Sequence, residues 1–169
     1  LGDVSSGHPF IGNPYYLEHA DELPIAFFFA DWLASVPFLL HLSLPVAAVW
    51  NIIFWAVVSL LLLWFLLRRL GLSAIQSTLV GLLAYSQVFW LFVRPVVMQV
   101  VFPSYLLFLI ALEVWLTKST RPRRWFLAIA IALGVYVYTY LLQIITVTIA
   151  VLFIHLAIKK DWAKLKKLI

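Results

Sequence analysis

Residues 125–158, WFLAIAIALGVYVYTYLLQIITVTIAVLFIHLAI, decide the fold. They run for 34 residues without a formal charge. Arg121, Arg123 and Arg124 stand before them, and Lys159 and Lys160 follow. As one helix the run would be about 51 Å long, far beyond a hydrocarbon core of roughly 30 Å even with strong tilt. Clusters of Lys and Arg in short loops mark the cytoplasmic side of a membrane protein. A single crossing would therefore put one basic cluster on the wrong side. Two short crossings, 125–140 and 141–158, satisfy both length and charge. The turn falls near Tyr136-Val137-Tyr138-Thr139-Tyr140, where three tyrosines suit the outer interface, with Gly134 the nearest glycine.

The rest of the chain follows the same logic. It is 65% hydrophobic and 11% charged, where a soluble domain carries about 25% charged residues. Its mean hydropathy is +1.06. There is no cysteine, hence no disulfide framework and no thiol chemistry. Residues 1–67 hold five acids and no Lys or Arg, while residues 68–169 hold all twelve Lys and Arg and two acids. The basic residues cluster at Arg68 and Arg69, at Lys118 to Arg124, and at Lys159 to Lys167, with Arg94 alone. These clusters predict cytoplasmic loops, and they explain the net charge of +5 without invoking nucleic acid.

The predicted spans are 45–67, 72–93, 98–117, 125–140 and 141–158. Pro103 is expected to mark the real start of the third, and Ser73 to cap the second. Residues 159–169 read as a basic cytoplasmic surface helix anchored by Trp162. The chain opens on Leu1 with no basic and apolar leader, and is expected to be an internal stretch of a longer polytopic protein. The fold class is thus an all-α integral membrane protein in the plasma (inner) membrane. It has about five transmembrane helices and an extracytoplasmic N-terminal loop, residues 1–44, that carries a short interfacial helix.

That loop holds GNPYYLEHADELPIAFFFADWLASVP, residues 12–37, with four of the seven acids and no cation. Its apolar part, residues 24–36, is 13 residues long. At about 20 Å it is too short to cross. It reads as a surface helix with Pro24 in its first turn and Asp21 and Glu22 at its positive end. Phe27, Phe28, Phe29 and Trp32 are expected in the interface, Asp31 and Ser35 on one face, and an end or kink at Pro37.

On the outer face the chain gathers Asp3, Glu18, Asp21, Glu22, Asp31 and one cation, Arg94. A carboxylate near the membrane surface can act as a general base on a hydroxyl. An Arg fork can hold a phosphate and stabilise charge on a departing one. Together they suit transfer from a lipid-phosphate donor, although loop acids also cap helices and a lone Arg also reaches for headgroups. Elsewhere, Glu113 is expected to reach for the interface or pair with Lys118. Asn51, Gln76, Gln87, Gln99 and Gln143 are expected to hydrogen-bond between helices, and His155 to sit at the interface. His8 and His19 are eleven apart in a loop, a weak metal signal, although carboxylates plus one His could bind a divalent ion. No phosphate-binding Gly loop, Ser-His-Asp motif or nucleic-acid signature is present, and these residues leave the cofactor open.

The order of features resembles the polytopic glycosyltransferases of the GT-C type, in particular protein-mannosyltransferase-like and lipid A sugar-transferase-like members. The matching stretches are residues 12–37, the RRLGLS loop after the first span, and GVYVYTY at the hairpin. The resemblance covers essentially the whole chain as a pattern of features. It implies inverting transfer of a sugar from a polyprenyl-phosphate donor to an acceptor outside the cytoplasm. It also implies a catalytic Asp at the start of the outer loop, the position nearest Asp3. The Asp21-Glu22 pair is similar to an Asp-Glu pair of some members but sits later in the loop, which leaves the base open among Asp3, Asp21, Glu22 and Asp31. Arg94 is the candidate for the donor phosphate. The alternative is a multispan transporter or lipid-linked-sugar flippase subunit, for which ionisable groups or broken helices at mid-membrane are expected. Here nearly all the charges fall at interfaces.

Overall fold

Helix ends are set by local chemistry that the sequence spells out. The computed structural model describes residues 28–93, 97–163 and 165. Six helices run through them: α1 Phe28–Leu39, α2 Leu44–Arg69, α3 Ala74–Val93, α4 Val97–Thr117, α5 Arg121–Val137 and α6 Thr139–Ile158. No strand occurs among the described residues. α2 has a proline in its first turn, where the missing N–H costs nothing. It stops at Gly71, whose φ of +99° favours glycine, with the Leu72 N–H donating back to the Leu67 carbonyl at 3.2 Å. α3 then opens on a reciprocal cap. The Gln76 N–H donates to Ser73 Oγ at 3.3 Å, and the Ser73 N–H donates to Gln76 Oε1 at 2.9 Å.

The uncharged run 125–158 is broken at one residue. Tyr138 takes an extended backbone, φ −164° and ψ 129°, between α5 and α6. Its N–H still donates to the Gly134 carbonyl at 3.2 Å, and its own carbonyl accepts from Leu141 N–H at 2.9 Å. The break therefore strands few backbone groups, a requirement in lipid. Beyond it the chain folds back. A Cβ built on Gly134 would lie 2.8 Å from Ile145 Cδ1, whereas a continuous helix would separate residues 134 and 145 by about 16 Å.

α4 is the hub. Its Phe108, Ala111, Leu112 and Trp115 pack with Leu127 and Ala130 of α5 and Leu141 and Ile145 of α6. Its Leu106 and Ile110 pack on Leu66 of α2. Its Val100 meets Ala30 of α1 and Val137 of α5. In its most apolar window 44% is buried, against 22% in α2 and 17% in α6. α2 and α6 instead expose bands of large apolar side chains, among them Val49, Ile53, Val57, Val147, Val151 and Ile154. Bands of that extent fit contact with lipid rather than water.

Three helical stretches among the described residues are long and apolar enough to cross a membrane: Leu44–Arg69, Gln99–Thr117 and Tyr140–Ile158, with mean hydropathy of 2.4, 1.9 and 2.5. This is a membrane-associated, all-helical protein. The sequence predicts five crossings. The apolar part of α5, residues 125–137, would span only about 20 Å as a helix.

One expectation about proline is corrected and the other is met to within a turn. Pro103 does not start the third long helix; α4 begins at Val97 and runs through it. Its ring sits buried among neighbouring helices, and Ser104 Oγ donates to the Val100 carbonyl at 2.7 Å. Proline is tolerated inside a packed membrane helix because neighbours and Ser/Thr side chains re-satisfy the backbone. Pro37 lies within the last turn of α1, which ends two residues later at Leu39.

Candidate functional site

The bundle has two chemically different ends. One is capped by α1. Ala30, Ala34 and Pro37, spaced i, i+4, i+7, are buried, and small side chains at that spacing let helix backbones approach closely. α1 touches α2, α4 and α5, meeting Val100 near the start of α4 and Val137 at the end of α5. A side chain of α2 pins it there: Asn51 Nδ2 donates to the Ala34 carbonyl at 2.8 Å, and Asn51 is 2% exposed. Ser35 Oγ donates to the Trp32 carbonyl at 2.8 Å.

Beneath α1 lies an apolar pocket of about 300 Å³ whose walls include Phe29, Leu33, Trp55, Pro103 and Val137. Trp55 Nε1 has no hydrogen-bond partner among the described residues. The pocket can take an apolar chain and offers it little polar contact.

Of the predicted site residues, Asp31 lies on α1 and thus at this end; its side chain is outside the described residues. Asp3, Asp21, Glu22 and Arg94 are also outside them, as are Glu18, His8 and His19.

The other end is cationic. Arg69 Nε, from α2, bonds Glu113 Oε2 of α4 as an ion pair. Thr117 Oγ1 donates to Glu113 Oε1 at 2.8 Å. Arg123 Nη1 donates to the Val114 carbonyl at 3.1 Å, tying the 118–120 turn to α4. Arg68 and Arg69 stand over Trp64 and Phe65 at 5.8 and 5.9 Å from the ring centroids, a cation–aromatic contact suited to a membrane interface. The expectation that Glu113 pairs with Lys118 is thus corrected: its partner is Arg69, 44 residues away. An Arg fork competes well for a carboxylate against a flexible ammonium.

Between α2, α4 and α6 at this end opens a cleft of about 670 Å³. Leucines line it, together with Glu113, Thr117, Thr148 and His155. Tyr105 and Thr148 share a hydrogen bond of 3.2 Å on its α4–α6 side.

The polar residues expected to join helices divide. Asn51 does so, whereas Gln76 caps its own helix, and Gln87 and Gln143 are exposed. Sequence reasoning missed the Arg69–Glu113 pair and the pocket under α1. The first had a signal: Arg69 at the end of one helix and Glu113 one turn before the end of another, in helices expected to run in the same direction. The second had none, since it needs three helices placed together. Comparison with protein families, curated proteins and solved structures finds no match to this chain.

Proposed function

We propose that the chain belongs to a membrane glycosyltransferase that moves a sugar from a polyprenyl-phosphate donor to an acceptor outside the cytoplasm. The observation that carries this reading is the α1 end. A short helix bearing Asp31 roofs an apolar pocket at the end of the bundle away from the Arg and Lys clusters. A donor phosphate on a polyprenyl chain must sit at headgroup depth, with its chain in an apolar environment. The acceptor must reach it from water. In this reading five crossings set residues 1–44 outside, one of Asp3, Asp21, Glu22 and Asp31 is the general base, and Arg94 holds the donor phosphate.

The test is single Asp→Asn replacement at positions 3, 21 and 31, with Glu22→Gln beside them, in the full protein. General-base assistance is worth about 10²–10⁴-fold, so one variant should lose turnover by that factor with expression and membrane insertion unchanged. Arg94→Lys should weaken donor use where a bidentate fork is needed. Near-normal transfer by all three Asn variants and by Glu22→Gln would overturn the mechanism.

One observation favours a transport reading. Asn51, Trp55 and Ser59 share one face of α2 at successive turns, and Asn51 Oδ1, Trp55 Nε1 and Ser59 Oγ lack hydrogen-bond partners among the described residues. Polar groups inside a bundle mark permeation paths as well as helix contacts. Loss of flux of a lipid-linked sugar on Ser59→Ala, with transfer chemistry absent throughout, would decide for that reading.

A further inference from the structure

The cleft between α2, α4 and α6 is unaccounted for by the transfer reading, because it lies at the opposite end of the bundle. Its walls are mainly leucine and valine, including Leu66, Leu109, Leu152 and Val151. Its volume of about 670 Å³ falls within the roughly 300–1,000 Å³ of ordinary ligand sites. Val151 is 60% exposed on its rim, as is Leu70 at 61%, so the apolar walls are continuous with the lipid-facing surface of α6.

Three helix ends place cations next in the chain to the residues that line it. Arg68 and Arg69 fall between the lining residues Leu66 and Leu70. Lys118 follows the lining residue Thr117. Lys159 and Lys160 come directly after α6, which lines the cleft through His155 and Leu156. The carboxylates facing them are Glu113, already bonded to Arg69 and to Thr117, and Asp161 after α6. The cations therefore outnumber the acids at the mouth. Arg69 is also held in place: its Nε bonds Glu113 and its guanidinium carbon stands 5.9 Å from the Phe65 ring centroid. That leaves its terminal nitrogens without a hydrogen-bond partner among the described residues, on a side chain 31% exposed.

We propose that this cleft is a binding site for one anionic phospholipid. An acyl chain lies along Leu109, Leu152 and Val151, and the phosphate meets Arg69 and the lysines of the rim. An apolar slot open to the bilayer and rimmed with cations complements a lipid tail joined to a negative headgroup; basic pockets between membrane helices bind such headgroups. A zwitterionic lipid would satisfy the walls but not the rim. Cations at helix C-termini also offset the helix dipole. That role alone would need no apolar cleft beside them.

The experiment is native mass spectrometry of the purified protein, with phosphatidylglycerol or phosphatidylcholine added at equal concentration. One phosphatidylglycerol should stay bound per chain in preference to phosphatidylcholine. Val151→Trp fills the slot and should abolish retention. Val147→Trp is a control one turn earlier on the same helix, equally exposed at 60% and outside the lining, and should retain the lipid. Both replace an exposed valine, so equal melting temperatures of the two variants would exclude misfolding as the cause. A Lys118→Gln, Lys159→Gln, Lys160→Gln triple variant keeps the walls and the Arg69–Glu113 pair. Its preference for phosphatidylglycerol should fall by about fivefold for each cation removed. Equal retention of the two lipids by the unmodified protein, or full retention by Val151→Trp, would overturn the proposal. The readout is lipid retention, so neither result bears on the transferase reading.

Discussion

Asn51 shows how little a single polar residue needs to do to place a helix. Its side-chain amide holds the Ala34 carbonyl, and its own Oδ1 is left without a partner among the described residues. An apolar residue of similar size would lose the bond and also remove the orphan acceptor, and those effects oppose each other. Hydrogen bonds between membrane helices average about 0.6 kcal/mol. Asn51→Leu should therefore change overall stability by less than about 1 kcal/mol. Amide exchange should nonetheless speed up in α1 and nowhere else. Uniformly faster exchange would mean that Asn51 supports the whole bundle.

Gly134 allows a sharper prediction. A Cβ there would lie 2.8 Å from Ile145 Cδ1 and 3.3 Å from Leu141 Cδ2, both ends of flexible side chains. Gly134→Ala adds that crowding but gains roughly 1 kcal/mol of helix propensity, so it should be nearly neutral. Gly134→Leu should cost about 1–3 kcal/mol through overpacking. Ile145→Val deletes the crowded methyl, and combined with Gly134→Ala it should show a favourable coupling in a double-mutant cycle of unfolding. Additive effects would mean that α5 and α6 do not touch at this point. The sequence shows Gly134 beside the turn but not why the residue there must be small, because that reason lies on Ile145, eleven residues away.

At the scale of elements, most boundaries were legible where a local device sets them. The Arg68-Arg69 pair marks the end of α2 and the Ser73 cap opens α3, as the sequence predicts; Gln76 completes that cap rather than joining two helices. Pro103 lies inside α4 rather than at its start, because packed neighbouring helices tolerate a ring that would break an isolated helix. Inside a bundle the neighbouring helices pack around the ring, while Ser104 Oγ bonds the Val100 carbonyl, one residue on from the Gln99 carbonyl whose helical donor the ring removes. The break at Tyr138 was legible from length and charge alone, with no proline or glycine at the site. It can be checked by distance. Trp125 and Ile158 are exposed, at 62% and 76%, and accept spin labels on introduced cysteines. A continuous helix would separate them by about 50 Å. Arms of about 20 and 30 Å folded at a right angle or less give at most about 35 Å. A distance near 50 Å would rule out the fold-back.

For the whole molecule, the asymmetry of charge becomes an asymmetry of structure. The clusters at 68–69, 118–124 and 159–160 are far apart in sequence. They meet at one end because α2, α4 and α6 run in the same direction, with α3 and α5 returning between them. The acid-bearing α1 packs at the other end. Positive residues favour the cytoplasmic side because translocating them is disfavoured, so the bundle should insert with α1 outside. Ser43 follows α1 and Ser119 lies in the 118–120 turn; both are exposed, and the chain has no cysteine of its own to confuse the labelling. With a membrane-impermeant thiol reagent on intact cells, Ser43→Cys should react and Ser119→Cys should not until the membrane is opened. The reverse pattern would invert the orientation and put Asp31 on the cytoplasmic side, away from any acceptor outside the cell. Equal reaction of the two in intact cells would mean that the two ends do not lie on opposite sides of the membrane. In either case the proposed transfer loses its geometry, since the base must stand where water, acceptor hydroxyl and lipid phosphate meet.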